Sequence, residues 1–161
     1  REAGRLEPRA MHALPLEDLA ELIRPAGFFR IKARRLRNLL DWLQGACDYN
    51  LAALRDRDLE PLRAELLAIN GIGPETADCI LCYAAGLPSF VVDAYTRRIF
   101  ARHGLAPANI GYAELRNLFM RALPPDTPVY NEYHALLVRV AKQWCRKGKT
   151  DCKTCPLGGF L

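Results

Sequence analysis

No apolar run in the 161 residues approaches the ~20 that a helix needs to cross a bilayer, so no membrane span is expected. Low-complexity tracts are missing too, and half the residues are hydrophobic, as in an ordinary globular protein. Strand patterns are almost absent, because Phe90-Val91-Val92 is too short and isolated to count as one. Lysine is missing from the whole stretch between Lys32 and Lys142. The chain opens Arg1-Glu2-Ala3-Gly4, with neither an initiator Met nor a basic-then-apolar leader. Apolar periodicity begins only near Leu14.

What is present is helical throughout. The length suits one well-buried domain, or two small lobes sharing a core. Leu16 to Ile23 reads as a short amphipathic helix ended by Pro25 and Gly27. A longer helix follows from about Phe28 to Leu43, with Leu36, Leu39, Leu40 and Leu43 on a buried face. Arg30, Arg34 and Arg37 form a stripe on another face of it. Five basic residues in the eight positions 30 to 37 oppose the helix dipole there, which points to a phosphate-facing surface rather than a solvated one. The net charge of +5 and pI near 9.0 fit a polyanion partner but do not identify one. Further helices are expected at about 59–69, 74–85, 94–103, 112–123 and 127–145, the last with Thr127 as N-cap and Pro128 at its first position. The fold class is all-α.

The most informative stretch is Leu66-Leu67-Ala68-Ile69-Asn70-Gly71-Ile72-Gly73-Pro74-Glu75-Thr76-Ala77, followed by Val91-Val92-Asp93. It reads as helix, tight glycine hairpin and helix. Gly71 and Gly73 are free to take positive φ, and Pro74 suits a first helical position, where its missing N–H is no loss. Exposed amides and a helix start together make an anion site. A Gly-x-Gly between helices can also be only a turn, and Asp93, directly before Ala94-Tyr95-Thr96, can be a plain N-cap.

Hairpin and acid together resemble the helix-hairpin-helix of the endonuclease III superfamily of DNA glycosylases. The resemblance implies that Asn70, Gly71, Ile72, Gly73 and Thr76, with Arg30, Arg34 and Arg37, contact a DNA backbone. It also implies that Asp93 is catalytic and that the hairpin carbonyls hold a monovalent cation. Family members carry further helices upstream of the matched region, so an N-terminally incomplete chain is expected. Residues 1–13 are then an extension, expected to be poorly ordered. A helical domain over 14–104 would contain the hairpin motif at about 60–85, with C-terminal helices and a cysteine loop over 105–161.

Six cysteines fall at 47, 79, 82, 145, 152 and 155. Cys47, Cys79 and Cys82 read as small buried hydrophobes. The pattern Cys145-x6-Cys152-x2-Cys155 lies among Arg146, Lys147, Lys149 and Lys153, a setting that favours thiolates and metal over disulfides, with zinc one option. The spacing resembles the family's iron–sulfur loop and implies a [4Fe–4S] cluster. The fourth cysteine position falls on Leu161, so cluster occupancy stays open.

The resemblance also bears on the reaction. Bifunctional members use a lysine in the second hairpin helix, and the matching position here is Glu75. A hydrolytic route remains, in which Asp93 stabilises a sugar cation and orients water. Glu75-Thr76-Ala77-Asp78 with Val91-Val92-Asp93-Ala94-Tyr95-Thr96 looks most like the branch that excises alkylated purines such as 3-methyladenine. Two alternatives stay open: a bifunctional glycosylase/lyase for oxidised pyrimidines, and a non-catalytic DNA-binding module. The expected partner is damaged double-stranded DNA, bound by a cytoplasmic or nucleoid-associated monomer. His12, His103 and His134 are scattered singles, read as structural or solvated.

Overall fold

Residues 6–160 are described in a computed structural model, in which the chain divides into two compact units at Gly73/Pro74. Among the described residues there are eight α-helices and one two-stranded ribbon.

The first unit holds α1 (Pro8–His12), α2 (Leu16–Leu22), α3 (Phe29–Cys47) and α4 (Leu59–Ala68). Its core packs Leu19 and Ala20 of α2 against Ala33, Leu40 and Leu43 of α3, with Phe29, Leu36, Leu39 and Trp42 at the margin. That is the apolar face expected of α3. Short 3-10 turns at Arg24–Ala26 and Leu51–Leu54 connect the helices. The N-terminal extension departs from expectation. Pro8 starts a helix, the Glu7 carboxylate caps it by accepting from Ala10 N at 2.8 Å, and Arg9 donates to the Asp48 carbonyl at 3.2 Å and pairs with its carboxylate. His12 contacts Asp41 at 2.7 Å and the Tyr49 hydroxyl. Residues 8–13 are therefore ordered by caps and polar ties that no apolar period announces, while residues 1–5 lie outside the described residues.

The second unit begins with α5 (Pro74–Cys79), which runs into a π-helical turn over Ile80–Ala84. A buried extended segment, with Phe90, Val91 and Val92 each at most 1% exposed, leads to α6 (Ala94–Arg102). Next come α7 (Tyr112–Ala122), α8 (Thr127–Gln143) and a ribbon that the sequence does not announce. In the ribbon β1 (Cys145–Arg146) pairs antiparallel with β2 (Lys149–Thr150), and Gly148 at φ +78° makes the turn. Phe90 stacks on Phe119 with centroids 3.9 Å apart, and Tyr130 meets Phe90 edge-on. The N-cap of α8 is Asp126, whose carboxylate accepts from Val129 N at 2.8 Å. Thr127, expected in that role, is instead the first helical residue and donates its hydroxyl to Gly86 O. The shorter hydroxyl is outcompeted by a carboxylate one residue earlier.

Below the extended segment lies a buried polar cluster. Ser89 Oγ donates to Asp78 Oδ1 at 2.5 Å and Tyr112 Oη donates to Asp78 Oδ2 at 2.7 Å. Arg116 donates to Ser89 Oγ at 2.9 Å and lies 3.3 Å from Asp78 Oδ1. Such a network fixes geometry more than it adds net stability, and removal of one partner commonly costs about 3–5 kcal/mol. Ser89 thereby anchors the segment that carries Asp93.

Candidate active site and nucleic-acid interface

Asp93 ends the extended segment and caps α6. Its Oδ1 accepts from Thr96 N at 2.8 Å and from Thr96 Oγ1 at 3.0 Å, so both donors come from one residue of the first helical turn. The side chain is only 13% exposed. Its second oxygen, Oδ2, is not engaged by the cap and lies 3.4 Å from His134 Nε2 of α8. The cap uses one oxygen of the carboxylate and leaves the other outside it. Burial pushes its pKa up, but His134 and the Thr96 donors outweigh that and hold it below the ordinary carboxylate value. The group is kept ionised.

Two neighbours of Asp93 were not expected from sequence. Tyr83, at the π turn, has its hydroxyl 2.6 Å from His134 Nδ1. Burial, followed by the nearby Cys79, Cys82 and Asp93, pushes the Tyr83 phenol well above its usual range. Cys79 is half-buried; burial first, then the charges of Glu75 and its neighbours, Asp93 among them, raise its thiol to about 11. Cys82 is buried and raised to about 11 by the same desolvation. Both thiols stay neutral, as small apolar residues should. Glu75 is exposed in the first turn of α5.

The hairpin closes the first unit. Gly71 has φ +99°, and a Cβ built there would lie 2.2 Å from Arg35 Cγ. Gly73 needs no positive φ and has open space around it, so only one of the two glycines is conformationally required. Ile72 N donates to Ile69 O at 3.0 Å, closing the turn, and Asn38 of α3 donates to Asn70 O at 2.9 Å. Arg35 and Asn38, three apart on one helix face, thus brace the turn. Asn70, Gly71, Gly73 and Thr76 are exposed and Ile72 is half-buried.

The basic stripe does not act as a unit. Arg30 and Arg34 are exposed and line a pocket of about 340 Å³ that also holds Glu17 and Glu21. Arg37 is turned inward, donating to His12 O at 2.8 Å and to Leu14 O. Its guanidinium is committed to tying the end of α1, because those carbonyls need donors; this corrects the expectation that it faces a phosphate. Phe28 is a feature the periodicity did not single out. It holds φ +48° at the N-cap of α3 and is 84% exposed, a strained position for an aromatic.

Cys145, Cys152 and Cys155 line one cavity of about 20 Å³ together with Arg102 and His103. Arg102 donates to Cys145 Sγ at 3.0 Å. All described cysteines are free thiols. The donor type suits a soft metal or cluster. Among the described residues, however, no three ligand side chains converge as a metal site, and Leu161 lies outside them. No chemical step is assigned to such a group.

The fold and this acid-capped helix behind a glycine hairpin place the chain in a class that comparison with known proteins defines. The model of the HhH-GPD superfamily of base excision DNA repair proteins matches residues 2–125, and the chain belongs to that superfamily. A provisionally named DNA repair glycosylase of Methanocaldococcus jannaschii is 48% identical over 145 residues, which are 89% of this chain and 66% of that protein. Endonuclease III of Bacillus subtilis is 29% identical, covering 93% of this chain and 64% of the relative. The chain therefore spans about two thirds of the length of these relatives. Among solved structures, a non-covalent endonuclease III–DNA complex aligns over 97% of this chain and 68% of its own, at TM-score 0.76 and 26% identity. The 3-methyladenine DNA glycosylase of Helicobacter pylori bound to 1,N6-ethenoadenine covers 86% of this chain and 68% of its own, at TM-score 0.70 and 27% identity. No helix among the described residues is long and apolar enough to cross a membrane.

Proposed function

We propose that the chain is a DNA N-glycosylase that hydrolyses the bond between deoxyribose and a damaged base, with alkylated purines as substrates and Asp93 as the catalytic residue. The observation that carries this reading is the division of labour on Asp93. One oxygen is pinned by Thr96 while the other is left outside the cap, ionised and only slightly exposed. As the N-glycosidic bond lengthens, positive charge builds on the sugar. A fixed carboxylate oxygen stabilises that charge without having to reorganise. The same oxygen orients the attacking water. A purine alkylated on its ring carries positive charge and leaves readily, so the reaction needs little beyond this anion and a platform for the base. Glu75 stands where the resemblance implies a lyase lysine and cannot form an imine, which supports a hydrolytic route.

DNA is the substrate scaffold. The hairpin amides over Gly71–Gly73 supply donors for a backbone phosphate. Asn70 adjoins these amides, Arg30 and Arg34 add charge on the same unit, and Thr76 is a further DNA contact on the second. A monovalent cation at the hairpin carbonyls would share the Asn70 and Ile69 oxygens with the donors from Asn38 and Ile72.

The test is release of 3-methyladenine and 7-methylguanine from dimethyl-sulfate-treated duplex by the complete protein. Asp93→Asn keeps the cap acceptor, so folding and DNA affinity should survive while base release falls by ~10²–10³. Release at the parent rate would overturn the assignment of Asp93. A covalent adduct trapped by borohydride would overturn the hydrolytic route.

A further inference from the structure

We propose that His134 is a positioning residue of this reaction: its Nε2–H, fixed by a hydrogen bond from the Tyr83 hydroxyl to Nδ1, holds the free oxygen of Asp93 in the orientation the sugar cation needs. The inference rests on Asp93 being the catalytic acid.

Three observations on separate elements converge here. The His134 side chain is 15% exposed, and its Nε2 is buried with no hydrogen-bond partner. A buried polar atom left unpaired is costly, and native structures keep such atoms where they serve a purpose. Asp93 Oδ2, the oxygen outside the helix cap, lies 3.4 Å from that nitrogen. The separation is slightly long for a hydrogen bond, as catalytic contacts often are before substrate closes the site. On the far side of the ring, Tyr83 Oη is 2.6 Å from Nδ1.

Tautomer logic then gives the direction. A Tyr83 hydroxyl that donates to Nδ1 puts the ring hydrogen on Nε2, facing Asp93. The opposite tautomer would set a lone pair against the carboxylate. Thr96 of α6 holds Oδ1, and a hydrogen bond from His134 of α8 to Oδ2, formed as the site closes, would stop the carboxylate rotating about its Cβ–Cγ bond. The titratable groups on α5 and the π turn that sense the Asp93 charge are Cys79 and Tyr83, and Glu75, Asp78 and Cys82 in turn act on Cys79. Asp78 is tied to Ser89 and Tyr112, and the two thiols are neutral. Against burial, His134 and the Thr96 donors favour the ionised form of Asp93.

The experiment measures kcat and KM for base release from methylated duplex across pH, for the complete protein and for His134→Ala, His134→Gln and Asp93→Asn. The Gln amide reaches the Nε2 position and keeps a donor there. His134→Ala should lower kcat at neutral pH about tenfold or more with little change in KM. Its acid limb should move to higher pH, because Asp93 loses a partner that favours its charged form. His134→Gln should restore most of the rate. Parental kcat in His134→Ala, with Asp93→Asn inactive, would overturn this inference alone; parental activity in Asp93→Asn would overturn the reading beneath it. Equal defects in the Gln and Ala variants, each with a native circular dichroism spectrum, would also count against it. Long-range 1H–15N spectra of the unmodified protein need no variant: the neutral ring should carry its hydrogen on Nε2, and a hydrogen on Nδ1 would sink the proposal.

Discussion

Gly71 and Gly73 look equivalent as letters and differ as positions. Gly71 combines φ +99° with the stem of Arg35 where a Cβ would stand. Gly71→Ala should therefore destabilise the fold by about 1–2 kcal/mol from backbone strain alone, with the displaced Arg35 adding to it. Gly73 has nothing within 4 Å of its virtual Cβ. Gly73→Arg should leave the melting temperature within error of the parent and weaken binding to damaged and undamaged duplex alike, by blocking approach of the phosphate. Thermal melts and fluorescence anisotropy on the two variants separate the roles. Undiminished DNA binding by folded Gly73→Arg would refute the phosphate site. Asp93 shows the same lesson: its capping role was readable from the three-residue spacing to Thr96, because caps are local, but which oxygen stays free was not.

At the scale of elements, α6 connects the acid to the cysteine loop. Asp93 caps its start, while Arg98 donates to Cys145 O at 2.7 Å and Arg102 to Cys145 Sγ and Arg146 O, both at 3.0 Å. The ribbon of β1 and β2 is held to the helix by these two guanidiniums. We propose that Cys145, Cys152 and Cys155 bind metal in the complete protein. Metal analysis after anaerobic purification should find iron or zinc, and an iron–sulfur cluster would add a broad absorption near 400 nm, a general property of such clusters. Native protein free of metal, with all six thiols titratable, would count against it. Helix positions in this chain were largely legible, since apolar spacing and Pro or Gly punctuation mark α2, α3, α4, α6, α7 and α8 to within a few residues. The short α1 and the ribbon were not, because each is fixed by side-chain ties to residues far along the chain and carries no period of its own.

For the whole molecule, the +5 charge is not spread as the sequence stripe suggests. Arg37 faces inward, and Arg30 and Arg34 share their pocket with Glu17 and Glu21. DNA binding measured against salt should distinguish these. Arg30→Ala or Arg34→Ala should each weaken affinity uniformly across sequences and flatten the log–log salt slope by about 1. Arg37→Ala should instead lower stability, leaving the His12 and Leu14 carbonyls without their donor, and leave the slope unchanged. A flattened slope in Arg37→Ala with parental stability would reverse that assignment.

The sequence by itself determined what depends on neighbours within about four positions: most helix positions, the turn at Gly71 and the cap at Asp93. Local backbone geometry and short-range hydrogen bonds do not wait for the rest of the fold. Tertiary structure alone decided which distant side chains meet. His134, a lone histidine on α8, lies 51 residues from Tyr83 and reaches both its hydroxyl and Asp93 only because α8 packs on α6 and the π turn. Arg35 rests on Gly71, and Arg37 turns to His12, for the same reason: close packing selects one partner among many that composition permits.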